Sequence, residues 1–179
     1  MYGLIHRAAR QMVIQDLGEA RWSAIAAQSD IRDDDLISAK VYSDDATMRL
    51  LEAIRETFGW PMEELLERFG VYWIEFAATT PYSAMMDLAG SDLLTCLCSL
   101  DRLHSGIQLS MPDAMLPEFT VLEHGRDYVN VRYTSRRVGL EPFVKGLLMG
   151  LLKRFDLRGG VTAIGPSDRG VLFHIALEG

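Results

Sequence analysis

Apolar residues recur every three or four positions from Tyr2 to Ile107, which is the repeat of helices that bury one face. Asp30 to Asp35 is expected to be a solvated acidic loop, and Leu36 to Tyr42 fits either a helical or an extended segment. The helices predicted here are Tyr2 to Asp16, Ala20 to Gln28, a segment that Ser43 or Asp44 caps and Gly59 ends, Met62 to Thr79, Tyr82 to Leu88, and Ser91 to Ile107.

The pattern changes after Ile107, where Pro112 and Pro117 bracket a loop that no regular element includes. Apolar and polar residues then alternate in short runs, which predicts β-strands. Two hairpins and one helix are predicted: Phe119–Glu123 with Tyr128–Tyr133 around residues 124–127, a helix from Leu140 to Phe155 closed by Gly159-Gly160, and Val161–Ile164 with Val171–Ala176 around residues 165–168. Helices followed by an antiparallel sheet indicate an α+β fold.

Length and composition limit the function classes. The chain has 179 residues, enough for a single domain with a sizeable core, and its net charge of −7 argues against binding to nucleic acid. There is no run of about 18 or more apolar residues and no signal peptide, so we expect no membrane insertion and a cytoplasmic location. Cys96 and Cys98 lie two positions apart on different faces of a helix, where no disulfide forms.

One histidine lies in line with apolar residues on a predicted helix. Leu93, Leu97, Leu100, His104 and Ile107 follow one another at spacings of four, three, four and three, so His104 points into the core. A buried imidazole needs hydrogen-bond partners or a ligand, because an unpaired buried polar group costs roughly 1 to 3 kcal/mol. His104 is therefore either a core histidine bonded to a carbonyl or a ligand of a metal or haem iron.

A polar cluster ends the strand Tyr128–Tyr133. Side chains on a strand alternate between faces, so Tyr133, Ser135 and Arg137 share one side. An arginine fork with two hydroxyls suits a ligand that carries carboxylates, although the same pattern also fits an ordinary polar strand end.

The other histidines are isolated in the sequence. His6 is expected on the surface of the first helix, His124 in a turn, and His174 beside Phe173 on a strand. No phosphate-binding glycine loop, zinc-protease motif or nucleophile motif is present, so we do not expect an enzyme.

His104, followed 29 residues later by Tyr133-x-Ser135-x-Arg137, resembles the H-NOX family of haem-nitric oxide/oxygen binding domains. Further similar segments occur in family order: Met1–Ile5, Val41–Asp45, Phe69–Trp73 and Val138–Pro142. The resemblance implies one domain over residues 1–179. It implies a helical distal lobe at about residues 1–60 and a proximal lobe at about residues 61–179 that holds a four-stranded antiparallel sheet.

The resemblance also implies a site for haem b, bound non-covalently because no Cys-x-x-Cys-His is present. His104 would be the proximal iron ligand and Pro117 would press on the macrocycle. The residues that would hold the propionates are Tyr133, Ser135 and Arg137, and those that would form an apolar distal wall are Ile5, Trp73 and Phe143. Pro142 stands where oxygen-binding members carry a tyrosine, although the indole of Trp73 is a possible donor.

The function implied is that of a bacterial gas sensor that binds NO and CO but not oxygen, and signals when NO breaks the bond between iron and His104. The sequence ends at Gly179, so the expected output is a partner protein, either a histidine kinase or a cyclic-di-GMP synthase/hydrolase. The alternatives are an oxygen-binding or NO-storing haem protein and an interaction module without a cofactor.

Overall fold

The computed structural model describes residues 2–32, 36–38, 40–80, 83–167 and 170–179. Over these residues the chain has seven helices and four strands: α1 (Gly3–Leu17), α2 (Glu19–Ser29), α3 (Asp44–Phe58), α4 (Met62–Ala78), α5 (Ser83–Ala89), α6 (Leu93–Ser110), β1 (Glu118–His124), β2 (Tyr128–Thr134), α7 (Glu141–Arg154), β3 (Arg158–Ser167) and β4 (Gly170–Glu178). The predicted α+β class is confirmed. Predictions for residues 33–35, Tyr82 and Asp168 lie outside the described residues.

The chain divides into two compact units, Met1–Leu65 and Leu66–Gly179. In the first unit α1, α2 and α3 pack on one another. Ser43 caps α3 by accepting a hydrogen bond from the Ala46 N–H at 3.1 Å, and Gly59 ends α3 at φ 71°, a left-handed conformation that favours glycine. Both were predicted as the ends of this helix.

His6 is fully buried in α1, so the expectation of a surface position was wrong. Its Nε2 lies 2.8 Å from Thr47 Oγ1 on α3, and its ring centroid lies 4.6 Å from that of Tyr42. His6 is in helical register with the buried Ala9 and Val13, and the threonine partner makes its burial tolerable.

The second unit is built on a sheet of order β1-β2-β4-β3, with every neighbouring pair antiparallel. Both predicted hairpins are present, and β1 contains a bulge between Val121 and Glu123. The prediction that Gly159-Gly160 closes the last helix was wrong: α7 ends at Arg154, and Asp156 makes the turn at φ 54°. Gly159 and Gly160 belong to β3, which pairs with β4 from Arg158 onward.

Helices α4 and α7 approach each other closely along a line of glycines. A Cβ on Gly70 would lie 2.2 Å from the Phe143 carbonyl oxygen, and a Cβ on Gly146 would lie 2.0 Å from the Glu67 carbonyl oxygen. Ion pairs flank the contact, with Lys145 Nζ 2.8 Å from Glu67 Oε2 and Lys153 Nζ 2.5 Å from Glu75 Oε1. The two helices therefore run side by side in the same direction.

Candidate functional site

Helix α6 carries His104 and begins with a side-chain cap. Asp92 Oδ1 accepts a hydrogen bond from the Thr95 N–H at 2.9 Å, which satisfies one of the free N–H groups at the helix start. Of the face predicted from the sequence, Leu93 and Leu97 are buried, whereas Leu100, His104 and Ile107 are half-buried. Cys96 is buried and Cys98 is exposed, in agreement with their predicted placement on different faces.

One ring nitrogen of His104 is held by the backbone. Its Nδ1 lies 2.9 Å from the carbonyl oxygen of Pro117, and a carbonyl only accepts, so Nδ1 carries the proton. Nε2 then has a lone pair, and it has no hydrogen-bond partner among the described residues. Burial lowers the pKa of His104, partly offset by the Pro117 bond and by the charge of Asp101, so the imidazole is neutral at pH 7. The geometry leaves a neutral nitrogen donor fixed in one tautomer.

The segment from Ala114 to Phe119 is attached to α6 by three side-chain hydrogen bonds, which we call the α6 clamp. They join Asp101 Oδ1 to the Phe119 N–H at 3.1 Å, His104 Nδ1 to the Pro117 carbonyl oxygen at 2.9 Å, and Gln108 Nε2 to the Ala114 carbonyl oxygen at 3.2 Å. Asp101 and Gln108 were not predicted from the sequence. The available signal was their spacing of three and four residues from His104, which places all three side chains along one side of the helix.

Of the three side chains predicted to cluster after β2, those of Tyr133 and Ser135 are hydrogen-bonded to each other. Tyr133 is buried at the end of the strand, and burial raises the pKa of its hydroxyl, although a hydrogen bond with Ser135 acts in the opposite direction. The Arg137 N–H donates to Ser135 Oγ at 3.0 Å, and Arg137 Nη1 donates to the carbonyl oxygen of Met115 at 2.9 Å. Met115 lies in the clamped segment, so this segment connects the arginine with His104.

Phe119 lies between His104 and the cluster. Phe119 is buried. Its ring centroid lies 6.0 Å from the ring centroid of His104 and 5.5 Å from that of Tyr133, the residue opposite it in the pairing of β1 with β2. The imidazole and the polar cluster therefore share one aromatic neighbour and one stretch of backbone.

The apolar candidates lie on three helices. Trp73 on α4 is half-buried with its ring 5.8 Å from that of Phe76, and Phe143 on α7 is half-buried with its ring 5.4 Å from that of Phe69. Pro142 lies in the first turn of α7. Ile5 on α1 is half-buried in the unit Met1–Leu65, whereas the other candidates belong to the unit Leu66–Gly179.

The remaining histidines are apart from this site. His124 was expected in the turn, but it is the last residue of β1, where it is exposed and pairs with Val129. The Nδ1 of His174 lies 2.8 Å from Asn130 Oδ1 across β2 and β4. Among the described residues there is no group of three or more His, Cys, Asp or Glu side chains that could hold a metal ion. No helix in the described part of the chain has the length and apolar character needed to cross a membrane.

Comparisons with known proteins identify a family for this chain. A family model described as "Haem-NO-binding" matches residues 2–162. Soluble guanylate cyclase gcy-35 of Caenorhabditis elegans is 31% identical over 86% of this chain and 23% of the cyclase. Soluble guanylate cyclase gcy-33 of the same organism is 24% identical over 99% of this chain and 19% of the cyclase. The chain thus spans about a quarter or less of the length of these relatives.

Solved structures share the fold. A triple variant of an H-NOX protein from S. oneidensis in the Fe(II) ligation state superposes with a TM-score of 0.89 at 18% identity, covering 100% of this chain and 97% of that one. The H-NOX protein from S. oneidensis in the Fe(II)NO ligation state gives a TM-score of 0.87 at 18% identity, with 100% of both chains covered. Unliganded Fe(II) H-NOX from K. algicida gives 0.80 at 20% identity over 100% of this chain and 97% of that one.

Proposed function

This chain belongs to the haem-NO-binding (H-NOX) family, and we propose that it is a sensor that detects nitric oxide at the ferrous iron of a non-covalently bound haem b. The observation that carries the proposal is the hydrogen bond from His104 Nδ1 to the Pro117 carbonyl oxygen, which leaves a neutral Nε2 as an iron ligand. We expect His104 to be the only protein ligand of the iron.

The residues present fit a haem. A neutral imidazole whose Nδ1–H bonds a carbonyl is the usual ligand arrangement for protein-bound metals, because the hydrogen bond orients the ring and makes Nε2 more basic. Tyr133, Ser135 and Arg137 supply two hydroxyls and a guanidinium, a donor set that suits the two propionates. The adjoining clamped segment contributes Pro117, whose rigid ring is proposed to press on the macrocycle.

A bound haem supplies a ferrous iron that takes up diatomic gases. The protein residues then determine which gas is retained. We propose that Trp73 and Phe143 supply apolar surface where the gas binds, and that Pro142 offers no hydrogen-bond donor where oxygen-binding members carry a tyrosine. NO and CO do not require such a donor, so both are expected to bind while oxygen is excluded.

We propose that the signal is the loss of the bond between His104 and the iron in response to NO. Helix α6 and the segment Ala114–Phe119 would then no longer be held through His104. Since His104 is bonded to that segment, its release acts on β1 as well as on α6. We propose a cytoplasmic histidine kinase or cyclic-di-GMP synthase/hydrolase of a bacterium as the protein that receives this signal.

The test is reconstitution of the purified protein with haem. We expect a Soret band in the wild type, its loss in His104→Gly, and its recovery when imidazole is added to that variant. His124→Gly serves as the control, because His124 is exposed at the end of β1 and should leave haem binding intact. Full haem retention by His104→Gly without imidazole contradicts the assignment of His104 as the iron ligand. A wild type that binds no haem favours the alternative of an interaction module without a cofactor.

The release step has a separate measurement. On addition of NO to the ferrous protein, the absorption spectrum should report an iron that has lost its histidine ligand. A spectrum of an iron that keeps six ligands removes the release step and favours an NO store.

A further inference from the structure

Gln108 lies one helical turn after His104 on α6, and its Nε2 donates to the Ala114 carbonyl oxygen at 3.2 Å. Ala114 is only 5% exposed, and its own N–H donates to the Met111 carbonyl oxygen at 3.0 Å. Met111 in turn continues the helix by donating to the Ile107 carbonyl oxygen at 2.9 Å. The chain that leaves α6 is thus folded back onto the helix, and Gln108 fixes the point where it starts toward Pro117.

The position of the Pro117 carbonyl depends on anchors on both sides of it. Downstream, Asp101 holds the Phe119 N–H. Upstream, Arg137 holds the Met115 carbonyl and Gln108 holds the Ala114 carbonyl. Gln108 is the upstream anchor on the same helix as His104, so it fixes the carbonyl relative to the imidazole itself.

Arg137 is a less constant anchor than Gln108, because under the proposed function its guanidinium also holds a carboxylate of the ligand. The Gln108 bond involves no residue of the polar cluster. It therefore keeps the segment in place whatever Arg137 binds.

We propose that Gln108 is a positioning residue that holds the Pro117 carbonyl against His104 Nδ1 and thereby sets the strength of the bond between His104 and the iron. The part of this proposal that concerns the bond to iron rests on the proposed function. A stronger Nδ1–H···O=C bond makes Nε2 more basic, because it draws the proton away from the ring. Loss of the Gln108 bond loosens the segment Ala114–Phe119, weakens that bond, and makes release of His104 easier.

The test compares Gln108→Met, which keeps the side-chain length but has no N–H donor, with Gln108→Lys, which restores a donor. Leu109→Met is the matched control, because Leu109 is the next residue, is 87% exposed and makes no comparable bond. Two quantities are measured: the exchange rate of the His104 Nδ1 proton by NMR, and the iron–histidine stretching frequency of the ferrous protein by resonance Raman spectroscopy.

In Gln108→Met we expect proton exchange to be about three- to tenfold faster, the factor that follows from losing one ordinary hydrogen bond. We also expect the stretching band to move to lower frequency. Gln108→Lys should lie close to the wild type, and Leu109→Met should be indistinguishable from it. A purely structural role for Gln108 would lower the melting temperature without moving either signal.

Unchanged exchange and an unchanged band in Gln108→Met overturn the proposal. The exchange measurement is also made on the haem-free protein, where it tests Gln108 independently of the iron. Faster exchange there, combined with a wild type that binds no haem, supports the positioning role and rejects the proposed function. Because the Gln108 side chain is exposed, the variants are expected to keep the fold, and far-UV circular dichroism checks this.

Discussion

Two histidines of this chain are held by hydrogen bonds in opposite ways. The Nδ1 of His104 donates to a backbone carbonyl and leaves Nε2 for a ligand. The Nε2 of His6 instead contacts Thr47 Oγ1, whose hydroxyl lies 3.4 Å from the Ser43 carbonyl oxygen and donates to it. The threonine oxygen therefore accepts from His6 Nε2–H, and the buried Nδ1 has a lone pair without a hydrogen-bond partner among the described residues. His6 is a structural residue that stays neutral.

The burial of His6 predicts loss of stability in acid. Burial lowers its pKa from 6.5 to about 4. The unfolded chain therefore binds a proton that the folded chain rejects. The stabilisation is fully present above pH 6.5 and decreases as the pH falls toward 4, by about 3 kcal/mol in total. His6→Gln keeps a donor for Thr47 but does not titrate, so its unfolding free energy should decline less between pH 6.5 and 4.

Urea unfolding of the wild type and His6→Gln at several pH values measures this difference. His104 contributes a similar acid loss in both proteins, because burial also lowers its pKa, and the comparison removes that contribution. If the unfolding free energies of the two proteins decline in parallel across this pH range, protonation of His6 is not the cause of the loss of stability in acid.

At the scale of the elements, the contact between α4 and α7 depends on glycine. A Cβ on Gly146 meets the Glu67 carbonyl oxygen at 2.0 Å, whereas a Cβ on Gly150 meets Ile74 Cγ1 at 2.8 Å and the Val71 carbonyl oxygen at 3.2 Å. A Cβ on Gly106 of α6 meets only Met85 Cε at 3.8 Å. The three positions are all helical glycines, so they differ mainly in the space available for a methyl group.

We predict a graded effect of alanine at these three positions. Gly146→Ala forces α4 and α7 apart and should cost about 3 kcal/mol or more of unfolding free energy. Gly150→Ala should cost less, because its closest contact, at 2.8 Å, overlaps less than the contact of 2.0 Å at Gly146. Gly106→Ala should stabilise the protein by up to about 1 kcal/mol, since alanine favours the helix. Thermal unfolding of the three variants measures the series, and a Gly146→Ala variant as stable as Gly106→Ala would contradict the close contact.

The elements also show what the sequence was able to predict. Residues with a strong local signal were located correctly: the Ser43 cap, the Gly59 end of α3 and both hairpins. The end of α7 was predicted to within one residue, but the role of Gly159-Gly160 was wrong. This pair is a turn signal in isolation, whereas pairing with β4 draws both residues into a strand. The partners of His6 and Asp101 were not foreseen because they lie 41 and 18 residues away in the sequence. The partner of Gln108 is only six residues away, but it lies in the loop beyond α6, and helical periodicity does not show how a loop folds back onto its helix.

At the scale of the whole molecule, the family and the fold do not determine which gas is bound. Solved H-NOX structures share this fold at about 18% to 20% identity, which leaves most side chains free to differ. A hydrogen-bond donor beside the gas would favour retention of oxygen, and Pro142, in the first turn of α7, has no donor. Ligand choice is therefore proposed to depend on a few side chains on a common framework.

Oxygen binding by the wild type and by two variants of Pro142 tests this choice of ligand. The ferrous wild-type protein should bind NO and CO but show no stable spectrum of bound oxygen in air. Pro142→Tyr adds a hydroxyl donor at this position and should slow the loss of oxygen, whereas Pro142→Phe adds the same ring without the hydroxyl and should not. Oxygen dissociation rates measured by stopped-flow spectroscopy separate the two variants by the hydroxyl alone. Stable oxygen binding by the wild type would contradict the prediction and indicate another hydrogen-bond donor. The indole of Trp73 is the first candidate for that donor, and Trp73→Phe tests it.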